Sequence, residues 1–282
     1  MFSALVFFEL RRRVKMISTW VYALVLAGGG LLMTLALGGV FKSISATSGA
    51  ERVAVNSPHT LFSLITSLAF MGLLMLAAIF GQAAYQDFGH GTWMLIFTKN
   101  VKKAPYLLGR FLGAYVFSAL LLLSILPGIV VGLGVVWLMD RSQLTTHQTA
   151  AYLWPYMLGV WPTLFFAGAL FFTLAAITRR MAPVYVGIVV LVLGYTVITA
   201  AIADVNYQAL GALLDPFGFI TFSTVTRYWT PAERNSDMIP LAGAMLANRL
   251  LWLAAGAALL GLAVARFRTT VEEHSGRAAA RE

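Results

Sequence analysis

ISTWVYALVLAGGGLLMTLALGGVF, residues Ile17–Phe41, contains no charged residue in 25 positions. A helix needs about 20 predominantly apolar residues to cross the hydrocarbon core of a bilayer. Strands of membrane barrels are only about 9–11 residues long, so a run of this length argues against a barrel. The stretch predicts a membrane-spanning helix, and with it an all-α integral membrane protein.

Five further apolar windows have the same character. The chain is 60% hydrophobic and 11% charged, whereas soluble domains are usually about 45–50% apolar and about 25% charged. We expect one transmembrane domain over residues 1–282, with an N-terminal interfacial segment over 1–16, a six-span bundle over 17–265 and a polar tail over 266–282. Pro127 should kink the third span. The predicted spans are Ile17–Phe41, Leu61–Tyr85, Phe111–Leu138, Leu153–Thr178, Val184–Ala203 and Leu241–Ala265.

The distribution of Lys and Arg predicts the orientation of the spans. Cytoplasmic segments of membrane proteins carry an excess of these residues. One side of the predicted bundle carries 14 of the 20 cations and the other carries 6, which places both termini in the cytoplasm. The richer side has Arg11, Arg12, Arg13, Lys15, Lys99, Lys102, Lys103, Arg110, Arg179, Arg180, Arg266, Arg268, Arg277 and Arg281. The poorer side has Lys42, Arg52, Arg141, Arg227, Arg234 and Arg249.

The longest polar interval between spans is QDFGHGTWMLIFTKNVKKAPYLLGRFLG, residues Gln86–Gly113. Within it, GHGTWMLIFTKN is expected to form a short helix with Trp93, Ile96 and Phe97 on one side. Two interpretations are open from the residues: a helix anchored at the membrane interface, or a helix that docks on a cytoplasmic partner.

The N-terminal segment MFSALVFFELRRRVK combines apolar residues with four cations. This pattern is typical of an amphipathic helix lying at a membrane surface. Glu9 is expected to pair with Arg12 or Arg13, at i, i+3 or i+4 spacing. An ordinary cluster of topology-setting charges is the alternative.

The predicted outer segment Asp204–Pro240 is unusually aromatic for a solvated loop. Thr230 followed by Pro231 predicts a helix start with Thr230 as its N-cap. A candidate outer gate and simple aromatic packing over the bundle are both open interpretations. Arg249, inside the last span, could snorkel outward or pair with an acidic residue of this loop. The candidate gate residues are Asp215, Phe217, Tyr228, Trp229 and Arg249.

Several kinds of chemistry have no motif in this chain. There is no cysteine, no phosphate-binding G-x-x-x-x-G-K-[ST], and no H-E-x-x-H zinc motif. The predicted spans lack the carboxylates expected of an ion-coupled carrier. The cations lie beside apolar runs, which argues against a nucleic-acid surface. We therefore expect no cofactor or metal bound by this chain, and an external motor for any transport.

FELRRRVKMISTWVY, the segment D-F-x-x-G-T-x-x-L-x-F-T-K and the following YLLGRFLGAY together resemble the permease subunits of ABC-2 type exporters. LLDPFG, TRYWTPAERN and LANRLLWL are similar to permease regions that some bacteria fuse to a zinc aminopeptidase. This chain carries no peptidase motif, so no peptidase activity is implied.

The resemblance implies an elbow helix at the cytoplasmic surface and short re-entrant helices between spans five and six. It also implies an ATPase-coupling helix between spans two and three, a partner ATPase that binds ATP and Mg, and a second permease copy or paralogue. The expected location is the bacterial inner membrane, in contact with lipids. The implied coupling residues are Asp87, Phe88, Thr92, Trp93, Leu95 and Phe97. The implied elbow and surface residues are Glu9, Arg11, Arg12, Arg13 and Lys15, with Lys99, Lys102, Lys103 and Arg110 as lipid headgroup anchors.

Other function classes remain open at this stage. A membrane scaffold or assembly factor would anchor a partner without transport. A membrane enzyme would need a pair such as His90 with Asp87, or Glu233 with Arg234. A secondary carrier is the least favoured, because the predicted spans lack buried ionisable groups.

Overall fold

The structure is a computed structural model that describes residues 2–41, 53–92, 102–201 and 208–267. Its regular elements are helical, and the described residues include no strand. The helices are α1 (Phe2–Val14), α2 (Ile17–Leu37), α3 (Pro58–Met71), α4 (Leu73–Gly89), α5 (Lys103–Leu122), α6 (Ile125–Met139), α7 (Ala150–Pro155), α8 (Trp161–Thr178), α9 (Ala182–Ala201), α10 (Gln208–Leu214), α11 (Phe219–Val225), α12 (Pro231–Ser236) and α13 (Gly243–Arg266).

Four helical stretches of the described chain are long and apolar enough to cross a membrane. They are Ile17–Leu37, Lys103–Met139, Ala150–Thr178 and Gly243–Arg266. Helices α3 and α4 form a fifth candidate if they are counted as one span, bent by 51°. The apolar stretch Ala182–Val197 of α9 is shorter. These helices are compatible with a multi-pass membrane protein.

Three of the predicted spans are interrupted. In the fourth, a π-helical turn over Tyr156–Val160 separates α7 from α8. The predicted third span is one helical stretch whose regular pattern breaks between Leu122 and Ile125. Pro127 explains this break, because its ring clashes with the carbonyl four residues earlier, at Leu123. The bend between α3 and α4 occurs at Gly72, the end cap of α3, and the apolar pattern did not predict it. Glycine is a poor helix former, so it favours a break at this position.

Close helix contact depends on glycine where α2 meets α6. A Cβ added to Gly128 would lie 1.8 Å from the carbonyl oxygen of Ala27, and one added to Gly30 would lie 2.6 Å from the Ile125 carbonyl oxygen. No side chain fits at such distances, so the two backbones touch. By contrast, a Cβ at Gly134 of α6 would meet nothing within 4 Å.

The centre of the bundle is α8, which contacts α4, α5, α9 and α13. Its residues Phe171, Phe172 and Ala175 have no exposed surface. Helix α8 is apolar around its whole circumference because neighbouring helices surround it. The other long helices are therefore positioned relative to α8.

The connection before α13 is capped as the sequence predicts. The Thr230 hydroxyl accepts a hydrogen bond from the Glu233 amide, and the Glu233 carboxylate accepts one from the Thr230 amide. This reciprocal capping box confirms that α12 starts at Pro231 with Thr230 as its N-cap.

Candidate functional site

A cluster of buried ionic side chains joins α1 to the C-terminal end of α4 and to the first half of α5. We call this group the Glu9 cluster. It consists of Glu9, Arg13, Gln86, Asp87, Tyr106 and Arg110. Each of these residues is less than a tenth exposed, and Glu9 has no exposed surface at all.

Glu9 is the acceptor at the centre of this cluster. The Arg13 Nε donates to Glu9 Oε2 at 3.1 Å, and the Gln86 amide and the Arg110 guanidinium both donate to Glu9 Oε1. The Arg13 Nη2 also donates to the Ile79 carbonyl at 2.9 Å. The expected i, i+4 pair between Glu9 and Arg13 is therefore present.

Arg110 connects the two acids of the cluster. Its Nη1 pairs with Glu9, and its Nη2 pairs with Asp87 at 2.5 Å. The Asp87 carboxylate also accepts from the Tyr106 hydroxyl. Two carboxylates and two guanidiniums thus balance each other out of contact with water, which offsets part of the cost of burying charge.

Burial perturbs the pKa of Arg13, and the cluster also requires a close approach of α1 to α5. Desolvation lowers the pKa of the Arg13 guanidinium, and the nearby Glu9 carboxylate opposes that change. A Cβ added to Gly113 of α5 would lie 2.7 Å from Glu9 Cβ. The absence of a side chain at Gly113 therefore lets α1 lie close enough to α5 for Glu9 to reach Arg110.

The Glu9 cluster flanks the segment that the sequence predicts as a coupling helix. Asp87 lies two residues before α4 ends at Gly89, and Arg110 lies two turns into α5. The coupling residues Trp93, Leu95 and Phe97 lie outside the described residues, as does the predicted anchor Lys99. The structure shows an ion pair between Asp87 and Arg110, which joins the two chain segments on either side of residues 93–101.

The remaining coupling residues are described. The Thr92 side chain is exposed, and its hydroxyl lies 3.4 Å from Asp87 Oδ1. Phe88 packs on the Phe267 ring, with a centroid distance of 5.9 Å, and lies below the Arg179 guanidinium. Asp87 and Phe88 thus contact residues of this chain.

The predicted surface residues divide into two groups. Arg11, Lys15, Lys102 and Lys103 are exposed and Arg12 is half-buried, so these side chains can reach a membrane surface. Arg110 is 4% exposed and engages Glu9 and Asp87. The prediction that Arg110 anchors lipid headgroups is therefore wrong, because its guanidinium is enclosed by the bundle.

A second group of polar residues surrounds Arg249 near the start of α13, and we call it the Arg249 cluster. The Arg249 Nη1 donates to the Thr163 hydroxyl at 3.1 Å, and its Nη2 lies 3.5 Å from the Phe217 carbonyl oxygen. Asp215 is also buried here and accepts hydrogen bonds from the backbone amides of Phe217 and Ile220. Burial raises the pKa of the Asp215 carboxyl, and these backbone donors oppose the rise.

The chain segment from Ala212 to Phe217 is tied directly to α13. The Asn248 amide donates to the carbonyl oxygens of Ala212 and Asp215 at 2.7 and 2.8 Å. Gly218 has a positive φ of 84°, and a Cβ there would lie 1.5 Å from Arg249 Nη2. Only glycine permits both the left-handed backbone and the approach of the guanidinium.

Aromatic rings extend the Arg249 cluster towards the bend between α3 and α4. Phe217 packs edge-on against Phe70 and Tyr195, with centroid distances of 4.7 and 4.8 Å. Phe70 precedes the bend at Gly72 by two residues, so the cluster contacts the point where the helix changes direction. A cavity of about 20 Å³ lies beside Phe70, Thr163 and Phe217, room for one water molecule.

Three of the five predicted gate residues come together in this cluster, namely Asp215, Phe217 and Arg249. Tyr228 is 86% exposed and is not part of the Arg249 cluster. Trp229 packs instead beside a separate small core that contains Phe62 and Met245.

The Glu9 cluster and the Arg249 cluster lie at opposite ends of α13. Phe267, just after the last residue of that helix, packs on Tyr106 of the Glu9 cluster. Phe267 lies roughly 25 Å along the helix axis from Arg249.

Sequence reasoning found the parts of the Glu9 cluster without their arrangement. The sequence predicts Glu9 and Arg13 at the membrane surface, Asp87 in the coupling segment and Arg110 among the headgroup anchors, whereas all four side chains are buried. The useful signal was an acid near the end of α4 and a second acid in α1, with Arg110 as a partner for both and Arg13 as a further partner for Glu9. Within the described ranges, no three His, Asp or Glu side chains are placed to hold a metal ion.

Comparison with known proteins adds no family assignment. No protein-family model matches the chain, and no curated protein matches its sequence.

Proposed function

We propose that this chain is the membrane permease subunit of an ABC-2 type exporter, driven by a separate ATPase. The observation that carries the proposal is the Glu9 cluster, which ties the N-terminal helix to the two helices on either side of segment 93–101. A chain with no nucleotide-binding motif of its own needs a place where an external motor can act. This arrangement would pass a displacement of segment 93–101 to α1, α4 and α5 together.

In this proposal the chain forms six spans in the bacterial inner membrane, with both termini in the cytoplasm. The bent pair α3 and α4 forms the second span, and α9 forms the fifth. Helix α1 is the elbow helix, and α10, α11 and α12 are the short outer helices between spans five and six. The 14-to-6 distribution of cations supports this orientation.

The proposed mechanism is rigid-body movement of packed helices. ATP and Mg on the partner ATPase would close a pair of motor subunits, and their movement would be applied to the coupling segment. A second permease copy, or a paralogue, would complete the pathway. The contact of Phe217 with Phe70 supports a gate at the other end, because it joins the loop before α11 to the bend of the second span.

The first test asks whether a neighbouring reading frame encodes an ATPase with a phosphate-binding loop. If it does, that protein is co-expressed with a tagged form of this chain, and both are purified together. We expect Trp93→Asp combined with Phe97→Asp to reduce co-purification and to abolish stimulation of ATP turnover in nanodiscs. Trp and Phe side chains that fill a cleft would lose their apolar contact when replaced by aspartate.

The matched control is Tyr228→Asp, which changes an aromatic residue that is 86% exposed and lies between α11 and α12. This control should co-purify with the ATPase and support its turnover normally. Unchanged association and turnover in the Trp93 and Phe97 variant would refute the docking role. Association without any substrate-stimulated turnover would instead support a scaffold or assembly factor.

A further inference from the structure

One face of α1 carries a feature that the Glu9 cluster does not use. Two aromatic rings and three cations line a surface groove of about 440 Å³, together with Ala4. The Phe7 ring is 64% exposed and the Phe8 ring is 52% exposed. The groove residues are Phe7, Phe8, Arg11, Arg12 and Lys15.

The three cations of this groove have no partner in the described part of the protein. Arg11, Arg12 and Lys15 form no side-chain hydrogen bond or ion pair with another described residue. Arg13, on the same helix, turns the other way into the Glu9 cluster. The helix therefore separates its charges into a balanced buried face and a positively charged outer face.

The surroundings of the groove point to a bilayer rather than to water. Helix α2 starts at Ile17, two residues after Lys15, and its Ile17 and Trp20 side chains are 83% and 66% exposed. Trp residues are enriched where a membrane helix meets the headgroups. The groove lies beside the start of α2 and has exposed phenylalanines next to cations. This combination matches the depth in a bilayer at which the acyl chains meet the lipid phosphates.

We propose that the groove of Phe7, Arg11, Arg12 and Lys15 is a binding site for one anionic phospholipid. The cations would contact the phosphate and headgroup, and the phenylalanines would contact the upper acyl chains. Anionic lipids suit the site because their headgroup carries a net negative charge that the three cations attract, whereas a zwitterionic headgroup carries none.

Such a lipid would touch residues that lie directly against the Glu9 cluster. Phe8 lines the groove, and its ring centroid lies 5.7 Å from the Arg110 guanidinium carbon. Burial lowers the pKa of Arg13, and the nearby Glu9 carboxylate opposes this change. The like charge of Arg12, the preceding residue, lowers the Arg13 pKa further. A phosphate on Arg12 would relieve that repulsion, so lipid binding should also stabilise the buried cluster.

The site can be tested on the purified full-length chain without any ATPase, so its failure would leave the proposed function untouched. Native mass spectrometry in detergent is carried out with phosphatidylglycerol and, separately, with phosphatidylcholine. We expect one retained phosphatidylglycerol, bound about tenfold more tightly than phosphatidylcholine. Replacing Arg11, Arg12 and Lys15 by glutamine should weaken this binding at least about tenfold, because each cation near an anionic surface contributes roughly fivefold.

The control removes the same charge elsewhere, by replacing the exposed Arg141, Arg180 and Arg266 with glutamine. It should retain the bound phosphatidylglycerol. Equal loss in both triple variants would show diffuse attraction and overturn the proposal. Displacement of the lipid by inorganic phosphate at the same concentration would show a free-anion site and would overturn it too.

A variant without charge change guards against loss of folding. Phe7→Ser should weaken phosphatidylglycerol binding about threefold, since part of an aromatic contact is lost, while leaving the melting temperature without lipid unchanged. Unchanged lipid binding in Phe7→Ser would contradict the assignment of the apolar wall to acyl chains. This measurement decides the question even if the triple variant does not fold.

Discussion

Replacing Arg110 by methionine is the sharpest test of the Glu9 cluster. Methionine has similar length and fills space well, so the change removes charge and hydrogen bonds with little loss of volume. Arg110 makes an ion pair with Glu9 and another with Asp87. The variant would leave two buried carboxylates facing one guanidinium, that of Arg13.

The expected cost follows from this imbalance. Removing one partner of a buried ion pair costs about 3–5 kcal/mol, because a charge is left buried without compensation. Asp87 would lose its guanidinium and keep the Tyr106 hydroxyl, whereas Glu9 would keep Arg13. For a chain of 282 residues, such a loss corresponds to a fall in melting temperature of about 5–8 °C.

A double-mutant cycle separates lost charge balance from lost packing. Asp87→Asn alone leaves one excess positive charge, so it should also destabilise the protein. Combining Asp87→Asn with Arg110→Met restores neutrality in the cluster. The double variant should therefore be more stable than the sum of the two single changes predicts, by about 2 kcal/mol.

The assay is thermal unfolding in one fixed detergent and lipid mixture, followed by intrinsic fluorescence and circular dichroism. Lys103→Met is the matched control, because it removes a cation from an exposed position of the same helix. That control should stay within about 1 °C of the unchanged protein, in line with an exposed charge. Additive effects in the double variant, or an Arg110→Met variant as stable as the control, would refute the reasoning.

Three further predictions concern glycines and a helix cap. Gly128→Ala should cost about 1–3 kcal/mol because its methyl group would overlap the facing backbone of α2, whereas Gly134→Ala on the same helix should be neutral or slightly stabilising; equal thermal stability would contradict the contact. Gly218→Ala should lower the melting temperature more than Gly39→Ala, because both need a positive φ and only the former would clash with the buried arginine; comparable losses would show that backbone strain alone matters. Hydrogen bonds from the N-cap amide and hydroxyl lower the pKa of Glu233, so the capping box should stabilise α12 above the ordinary carboxyl pKa and lose that effect as pH falls through the lowered value. NMR titration of the Glu233 carboxyl checks this, and a titration at the ordinary value would contradict it.

Some features of this protein follow from the sequence because their causes are local. The first predicted span begins at Ile17, as the helix does, and the fourth ends at Thr178, as the helix does. A bilayer requires long apolar helices whose backbone groups are all paired within the segment, and that requirement is visible in a window of 20 residues. The cap at Thr230 is likewise a matter of a few neighbouring residues.

Neither the bend at Gly72 nor the burial of Arg110 could be predicted from neighbouring residues in this way. A cation near the end of an apolar run looks the same in sequence whether it faces lipid headgroups or a buried acid. Arg110 pairs with Glu9 across 101 residues of chain, and that pairing exists only because Gly113 lets α1 approach α5. The sequence by itself determined that this chain folds into long apolar helices with cations near their ends. Tertiary packing alone decided which of those cations stay at the surface and which are enclosed, because the choice depends on neighbours that come from distant parts of the chain.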